Sequence, residues 1–384
     1  MPPKKNASAP DLLFYAAPGQ CADLLWLGKF DAPDPVLALR IGGKTVAALS
    51  PLEYARGKRE SAFGEILPME VVEAEAKATF GETGHSVARC IRLLAARHGA
   101  KAFTVADDFP AGIALDLIAH GFDITPGPPT LVPERLIKTP DEVAAIRDGN
   151  ACSAAGIRAA ENVLKAATIA KGGLLKWKGR TLTSELLRAE IIKACIDAGG
   201  MANGTIVAGG DQAVDCHERG HGPLRANEFI IVDVFPRINA TNYCGDMTRT
   251  FLKGKATPEQ RAMYAAVRAA QKRAMEVIRD GVHGSEVHAA TAKSFADAGY
   301  KSGRDDTGYF GFYHGTGHGL GLEIHEPLRM RGWGAHPIKA GMVVTVEPGL
   351  YYPGKGGVRI EDVVLVTTTG CEPVSKYHYK WELA

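Results

Sequence analysis

Residues 228–252 read EFIIVDVFPRINATNYCGDMTRTFL, and two aspartates inside this stretch decide how the chain must fold. The runs FIIV and MTRTFL are rich in β-branched residues, while Pro236, Asn239, Asn242 and Gly245 punctuate the segment between them, so two strands joined by a turn are expected. Asp233 interrupts the first run and Asp246 begins the second, with twelve residues intervening, close enough for a hairpin to bring both carboxylates to one point. Acidic residues are depleted from strand interiors and are rarely buried without a partner.

Two further runs repeat the anomaly: Glu347 interrupts MVVTVEP, and Glu361 with Asp362 interrupts VRIEDVVLVT. Taken singly, each carboxylate is more often a salt bridge or a turn residue. Burying several unpaired acids in one domain costs several kcal/mol apiece, and a shared cation relieves that cost. The stretch HGTGHGLGLEIH (314–325) offers an imidazole, with glycines at 315, 317, 319 and 321 leaving room for close backbone approach. An oxygen-rich set with one histidine suits hard cations such as manganese, cobalt or iron, and tolerates zinc. Four carboxylates overcharge a single divalent ion, so two ions are implied.

Helical periodicity flanks these strands at 141–167, 183–199, 258–281 and 285–299, the first introduced by Thr139-Pro140. Segregated helices and strands predict an α+β domain with an antiparallel sheet backed by helices. Upstream, VLALRI (36–41), TVAALS (45–50) and FTVAD (103–107) read as strands, the first two joined by Gly42-Gly43, and helices are expected over 71–80 and up to Gly99. The proline-rich segment 122–140 marks a junction. The expected division is a loose tail over 1–10, an α/β domain over 11–137 and the metal-binding domain over 138–384.

The chain has 384 residues, 46% hydrophobic and 23% charged, with a formal net charge of +2. That balance gives no electrostatic footprint for nucleic acid or an anionic membrane. Seven scattered cysteines without a C-x-x-C pair suggest a reducing compartment rather than a disulfide framework. The N-terminus lacks the unbroken apolar stretch of a signal peptide, and no run approaches the roughly 18 residues needed to span a bilayer. A cytoplasmic location is expected.

The ordered motifs TPDEVAAIR, IVAGGDQAVDCHERG, IIVDVFPR, GDMTRTF, HGTGHGLGLEIHEP, VEPGLYYPG and GVRIEDVVLV together resemble the pita-bread metallopeptidases, in the branch of Xaa-Pro aminopeptidases and prolidases. The resemblance implies a creatinase-like α/β domain followed by a pita-bread domain. It further implies two divalent ions, manganese first, with Asp233 chelating one, Asp246 and Glu361 bridging, and His318 with Glu347 completing the other. By the same resemblance Glu347 is the general base for an attacking metal-bridging hydroxide. His217 and His325 flank the reacting peptide, His314 stands in the outer pocket, and Arg359 steadies the cluster. Short proline-containing peptides are the implied substrates, and a homodimer or larger assembly is implied.

Tyr309, Phe310, Phe312 and Tyr313 are candidates for lining a slot for the proline ring and read equally as core. Arg329 and Arg331 suit a substrate carboxylate, although solvated charge is the commoner fate of such residues. Cys216 and Cys244 read as small buried hydrophobes. Two features depart from the family pattern: Val-Phe-Pro follows Asp233 where relatives carry a small residue and glycine, and the gap to Asp246 is longer. The compact N-terminal domain leaves dipeptidase and aminopeptidase both open. Three other readings compete: a non-catalytic binding module, metal-independent chemistry of the creatinase kind, and a zinc protease at His217-Glu218-Arg219-Gly220-His221, a literal H-E-x-x-H whose glycines argue against the helix that motif requires.

Overall fold

The computed structural model describes residues 10–306, 308–333 and 337–384, and divides into two compact units, 1–135 and 136–384. Apart from Pro10, the tail expected over 1–10 lies outside the described residues.

The first unit is built on a six-stranded sheet. Its strands are β1 (Leu12–Ala16), β2 (Val36–Ile41), β3 (Lys44–Leu49), β4 (Glu65–Pro68), β5 (Ala102–Val105) and β6 (Asp123–Pro126), in the order β4-β3-β2-β1-β5-β6. Helices α1 (Ala22–Gly28), α2 (Pro51–Glu60), α3 (Met69–Phe80), α4 (Ser86–His98) and α5 (Ala111–Ala119) cover it. Alternation in β1 shows why both faces are dry. Leu13 packs with Val72, Ile91 and Leu117 of α3, α4 and α5, whereas Leu12 and Phe14 join Leu24 and Phe30 on the other face. Gly42 and Gly43, at φ +55° and +83°, supply the two left-handed positions of the β2–β3 hairpin turn. The sequence reading missed β1, β4, β6, α1, α2 and α5, which are short elements with little room to display a period.

The second unit opens with α6 (Pro140–Ala166), closed at its start by a capping box between Thr139 and Glu142, an arrangement that stabilises a helix by about 1 kcal/mol. Helices α7 (Ser184–Asp197), α8 (Pro258–Val277) and α9 (Gly284–Asp297) complete the helical layer. Four strands, β7 (Ile206–Gly209), β8 (Ile230–Val234), β9 (Met247–Lys253) and β17 (Glu382–Leu383), form one sheet in that order. Between β9 and β17 the chain builds β10 (Gly317–Gly319), β11 (Glu326–Met330), β12 (Val343–Val346), β13 (Gly349–Tyr352), β14 (Gly356–Arg359), β15 (Asp362–Val366) and β16 (Cys371–Pro373). A five-stranded antiparallel sheet runs β11-β10-β12-β15-β16, and β13 pairs with β14 as a separate hairpin.

Helix α6 lies close beneath the β8–β9 pair because glycines face it. A Cβ on Gly149 would stand 2.6 Å from the Gly245 nitrogen, and one on Gly156 would stand 2.9 Å from Val234 Cγ1. In β8 the even residues Ile230, Val232 and Val234 join the core that α6 and α7 cover, which turns Ile231 and Asp233 to the opposite face.

VRIEDVVLV is not one strand. The chain leaves the β13–β14 hairpin after Arg359 and enters the five-stranded sheet at Asp362, so Glu361 sits where it changes sheets. Glu347 likewise follows the last residue of β12 and precedes β13. Both acids therefore avoid the strand interiors that disfavour them. The twelve residues between Asp233 and Asp246 include a side pairing: Arg237–Ile238 pairs with Gly200–Met201 and Arg237 bridges to Cys244.

Candidate metal centre

Asp233 and Asp246 come from the β8–β9 pair of one sheet; His318, Glu347 and Glu361 come from β10 and from the two sheet-changing turns. A cavity of about 530 Å³ receives all five. Asp246, His318 and Glu361 are the closest group: each offers one ligand atom, and these atoms lie within 4.8 Å of one another.

His318 is oriented for this role by its neighbours. Its backbone nitrogen donates to Thr345 Oγ1 at 3.0 Å, and its Nδ1 lies 3.1 Å from the Gly319 carbonyl. A carbonyl only accepts, so Nδ1 carries a proton and Nε2 is the ring nitrogen turned to the cluster, where a cation would take the place of its proton. Nε2 lies 3.3 Å from Glu347 Oε1 and 3.7 Å from Asp246 Oδ2. A side chain at position 317 would force β10 away from β12, since its Cβ would fall 2.1 Å from the Thr345 carbonyl oxygen.

The carboxylates are held from behind. Arg359 Nη2 donates to Asp233 Oδ2 at 2.8 Å, and Thr248 Oγ1 donates to Glu361 Oε2 at 2.8 Å. Asp233 Oδ1 and Glu361 Oε1 are buried and have no hydrogen-bond partner. Such orphaned oxygens are rare in folded proteins and call for a ligand. Asp362, adjacent to Glu361, differs completely: Arg249 donates to its Oδ1, and Gln271 and Tyr379 donate to its Oδ2. Of the two neighbouring acids, Asp362 is tied into the scaffold and Glu361 is left open to the cavity.

Electrostatics agree with the geometry. Burial first, then repulsion from Glu361, Asp233 and Glu347, pushes Asp246 well above the ordinary carboxylate range. Burial, then Glu347 and Asp233, does the same to Glu361. Burial would raise Glu347 too, but the His318 hydrogen bond and charge outweigh it and hold the group at about 2. A divalent cation removes the repulsion that protons otherwise relieve.

The cavity also receives the other residues singled out from the motifs: His217, His314, His325 and Arg359. The His325 ring meets His318 edge-on at 4.4 Å, and burial followed by the His318 charge lowers its pKa to about 4. Its loop is anchored through Glu326, whose carboxylate binds Lys138 Nζ at 2.6 Å with both side chains buried. His314 has both ring nitrogens engaged, Nδ1 with the Gly315 carbonyl at 2.7 Å and Nε2 with Tyr351 Oη at 2.9 Å. Tyr351 in turn accepts from Arg359 Nη1 at 3.0 Å, which links His314 to Asp233. Tyr351 carried no signal in the sequence beyond its place in an aromatic pair.

Two readings need correction, and one expectation is met. Tyr309, Phe310, Phe312 and Tyr313 do not line the cavity; Phe312 is buried against Phe295 and Tyr309 is exposed. Its apolar lining comes from Ile206, Phe235 and Ile324 instead. Arg329 is not merely a solvated charge, because it is half-buried in the cavity wall, where burial and repulsion from Arg331 lower its pKa; Arg331 also borders the cavity but is exposed, as expected of a solvated charge. Residues 217–222 form no helix: Gly220 adopts φ +78° with its Cβ position 1.7 Å from the Val207 carbonyl oxygen, and His221 is 73% exposed. The H-E-x-x-H reading therefore fails on geometry. Cys244 is buried as expected, whereas Cys216 is half-buried at the cavity wall. Among the described residues, no helix is long and apolar enough to cross a membrane.

Comparison with known proteins follows the same lines. The Xaa-Pro dipeptidase of Pyrococcus furiosus is 36% identical over 173 residues, 45% of this chain and 47% of that protein. This chain spans about half the length of the curated relatives it matches. Dipeptidase PepE of Mycobacterium ulcerans superposes with a TM-score of 0.73 at 26% identity, covering 98% of this chain and 93% of that one. The X-Pro aminopeptidase of Thermotoga maritima gives a TM-score of 0.77 at 19% identity over 98% of each chain, a likeness of fold alone. The α+β pita-bread architecture with its N-terminal α/β domain is thus the fold the chain adopts. With the profile of metallopeptidase family M24 matching residues 144–368, this chain belongs to that family.

Proposed function

We propose that the chain is a dinuclear-metal peptidase that hydrolyses the Xaa-Pro bond of short peptides, with Xaa-Pro dipeptides the best-fitting substrates. The observation that carries the reading is the Asp246, His318 and Glu361 cluster, accompanied by orphaned oxygens on Asp233 and Glu361, at the wall of a substrate-sized cavity. Asp233, Asp246, His318, Glu347 and Glu361 would hold two divalent ions, manganese first and cobalt, iron or zinc as substitutes. When bound, such a pair supplies Lewis acidity and an activated water for hydrolysis.

The chain's own residues do the rest. Glu347, ionised and only half-buried, accepts a proton at its carboxylate and returns it to the departing proline nitrogen. His217 and His325 stand on the cavity wall to hydrogen-bond the scissile carbonyl oxygen. His325 lies close to His318, is disfavoured as a cation, and serves as a neutral donor at neutral pH. His314 is fixed by Gly315 and Tyr351 and shapes the wall instead of carrying protons. Arg359 holds Asp233 aimed at the cavity.

Dipeptides are favoured because Arg329 and Arg331 put two guanidinium groups on the wall of the same cavity. A free carboxylate one residue from the scissile bond answers that charge, whereas an amide continuing the chain does not. The test compares chelator-stripped and manganese-restored protein on Xaa-Pro dipeptides and Xaa-Pro-Yaa tripeptides. Manganese-dependent cleavage of dipeptides well above tripeptides is expected. Tripeptide cleavage at equal efficiency would make the chain an aminopeptidase, and cleavage of neither would refute the proposed reaction.

A further inference from the structure

Phe235 supplies the aromatic ring of this cavity's lining. The alternation that turns Ile231 and Asp233 away from the helices continues past the end of β8 and carries Phe235 to the cavity, where its ring is only partly covered. The ring lies directly on the backbone of Gly204: a Cβ there would fall 2.2 Å from Phe235 Cε2 and 2.6 Å from Cζ. Nothing larger than glycine fits beneath it without moving the ring.

Both partners are pinned by the side pairing. Met201 pairs with Arg237 and Gly200 with Ile238, so the loop bearing Gly204 and the segment bearing Phe235 spring from one small ladder. Gly245 donates to the Pro236 carbonyl at 2.9 Å, fixing the chain on the far side of the ring. Ile206, directly opposite Asp233 in the β7–β8 register, continues the apolar surface. Arg219 also reaches this wall, but its guanidinium is tied to the Asn203 carbonyl at 2.7 Å.

The two walls of the cavity differ in origin. Ile206 belongs to the sheet of β7 and β8 and Phe235 follows the end of β8, whereas Arg329 lies on β11 of the five-stranded sheet, with Arg331 just beyond it. A dipeptide whose proline carboxylate meets the arginines, and whose scissile bond lies at the metal cluster, directs its first side chain to the Phe235 wall.

We propose that Phe235, seated on Gly204 and flanked by Ile206, is the specificity-determining residue for the position before proline. It forms a shallow apolar seat that takes alanine or leucine and turns away phenylalanine and aspartate. The assignment rests on the Xaa-Pro reading above. A ring seated on the Gly204 backbone has no room to retreat on that side from a bulky side chain, and an apolar surface leaves a carboxylate unsolvated.

The experiment measures kcat/KM of manganese-loaded enzyme on Ala-Pro, Leu-Pro, Phe-Pro and Asp-Pro for the wild type, Phe235→Ala, Phe235→Leu and Gly204→Ala. The wild type should favour Ala-Pro and Leu-Pro. Phe235→Ala should raise the Phe-Pro to Ala-Pro ratio by about tenfold or more, and Phe235→Leu should move it the same way by less. Gly204→Ala, which pushes the ring into the cavity, should lower Leu-Pro more than Ala-Pro. Ratios that stay within about twofold of wild type in folded variants would overturn the role of Phe235 while leaving the reaction standing. A wild type that cleaves no Xaa-Pro dipeptide would overturn both.

Discussion

Asp23 in the first unit and Asp233 in the second both lie buried against an arginine. Asp23 is complete: Arg135 Nε donates to Oδ1 at 2.6 Å and the Leu131 amide donates to Oδ2 at 2.7 Å. Asp233 receives Arg359 on Oδ2 and nothing on Oδ1. A pair of the same type therefore closes a core in one place and leaves a coordination position open in the other. What separates them is the second oxygen, and Asp362 beside Glu361 repeats the contrast within two residues.

The contrast can be broken first at its open members. Replacing Glu361 by glutamine keeps the shape but removes a charge the cations need, so Xaa-Pro hydrolysis should fall by about a thousandfold or more with circular dichroism unchanged. Activity within a few-fold of wild type would make Glu361 a structural acid like Asp362. Glu347→Gln tests the half-buried member; loss of a general base lowers turnover by about 10² to 10⁴, with KM moving little. A rise in KM at constant kcat would place Glu347 in substrate binding instead.

Breaking the closed pair has a different readout. Asp23→Asn removes the counter-charge of a buried guanidinium and should cost about 3 to 5 kcal/mol of stability, read by denaturant unfolding, while the metal content of the folded fraction is unaffected. Loss of metal without loss of stability would erase the distinction between the two aspartates.

The smallest effect is the pH response of the metal-free protein. Asp246 and Glu361 bind protons more tightly folded than unfolded. Their contribution is therefore full below the ordinary carboxylate pKa near 4 and is lost as pH rises above it. Glu347, held at about 2, acts oppositely, but only in acid below that range. The Tm of stripped protein should fall between pH 5 and pH 8, and manganese should raise Tm more at pH 8. An equal manganese shift at both values would mean that the cation does not replace protons on these acids.

Much of this was legible before any coordinates. β-Branched runs and capping residues located β8, β9 and the long helices, and acids placed among apolar residues exposed the cluster. The break between Arg359 and Asp362 was not legible, because VRIEDVVLV has one continuous strand composition and the change of sheet depends on which partners claim each half. Phe235 was readable in principle, since it stands two residues after Asp233 and shares its face. The aromatic run 309–313 drew attention instead because it neighbours His314 in sequence, yet only tertiary packing decides that Phe312 turns to Phe295 and the core. Arg329 was underestimated for the same reason: local composition marks charge but not the cavity it faces.

The most direct test of the account is a manganese titration of chelator-stripped protein, followed calorimetrically and checked by elemental analysis after desalting. The account predicts two ions bound per chain in the wild type and a loss of binding in Glu361→Gln and His318→Ala. A folded wild-type protein that retains no divalent ion under these conditions would contradict it.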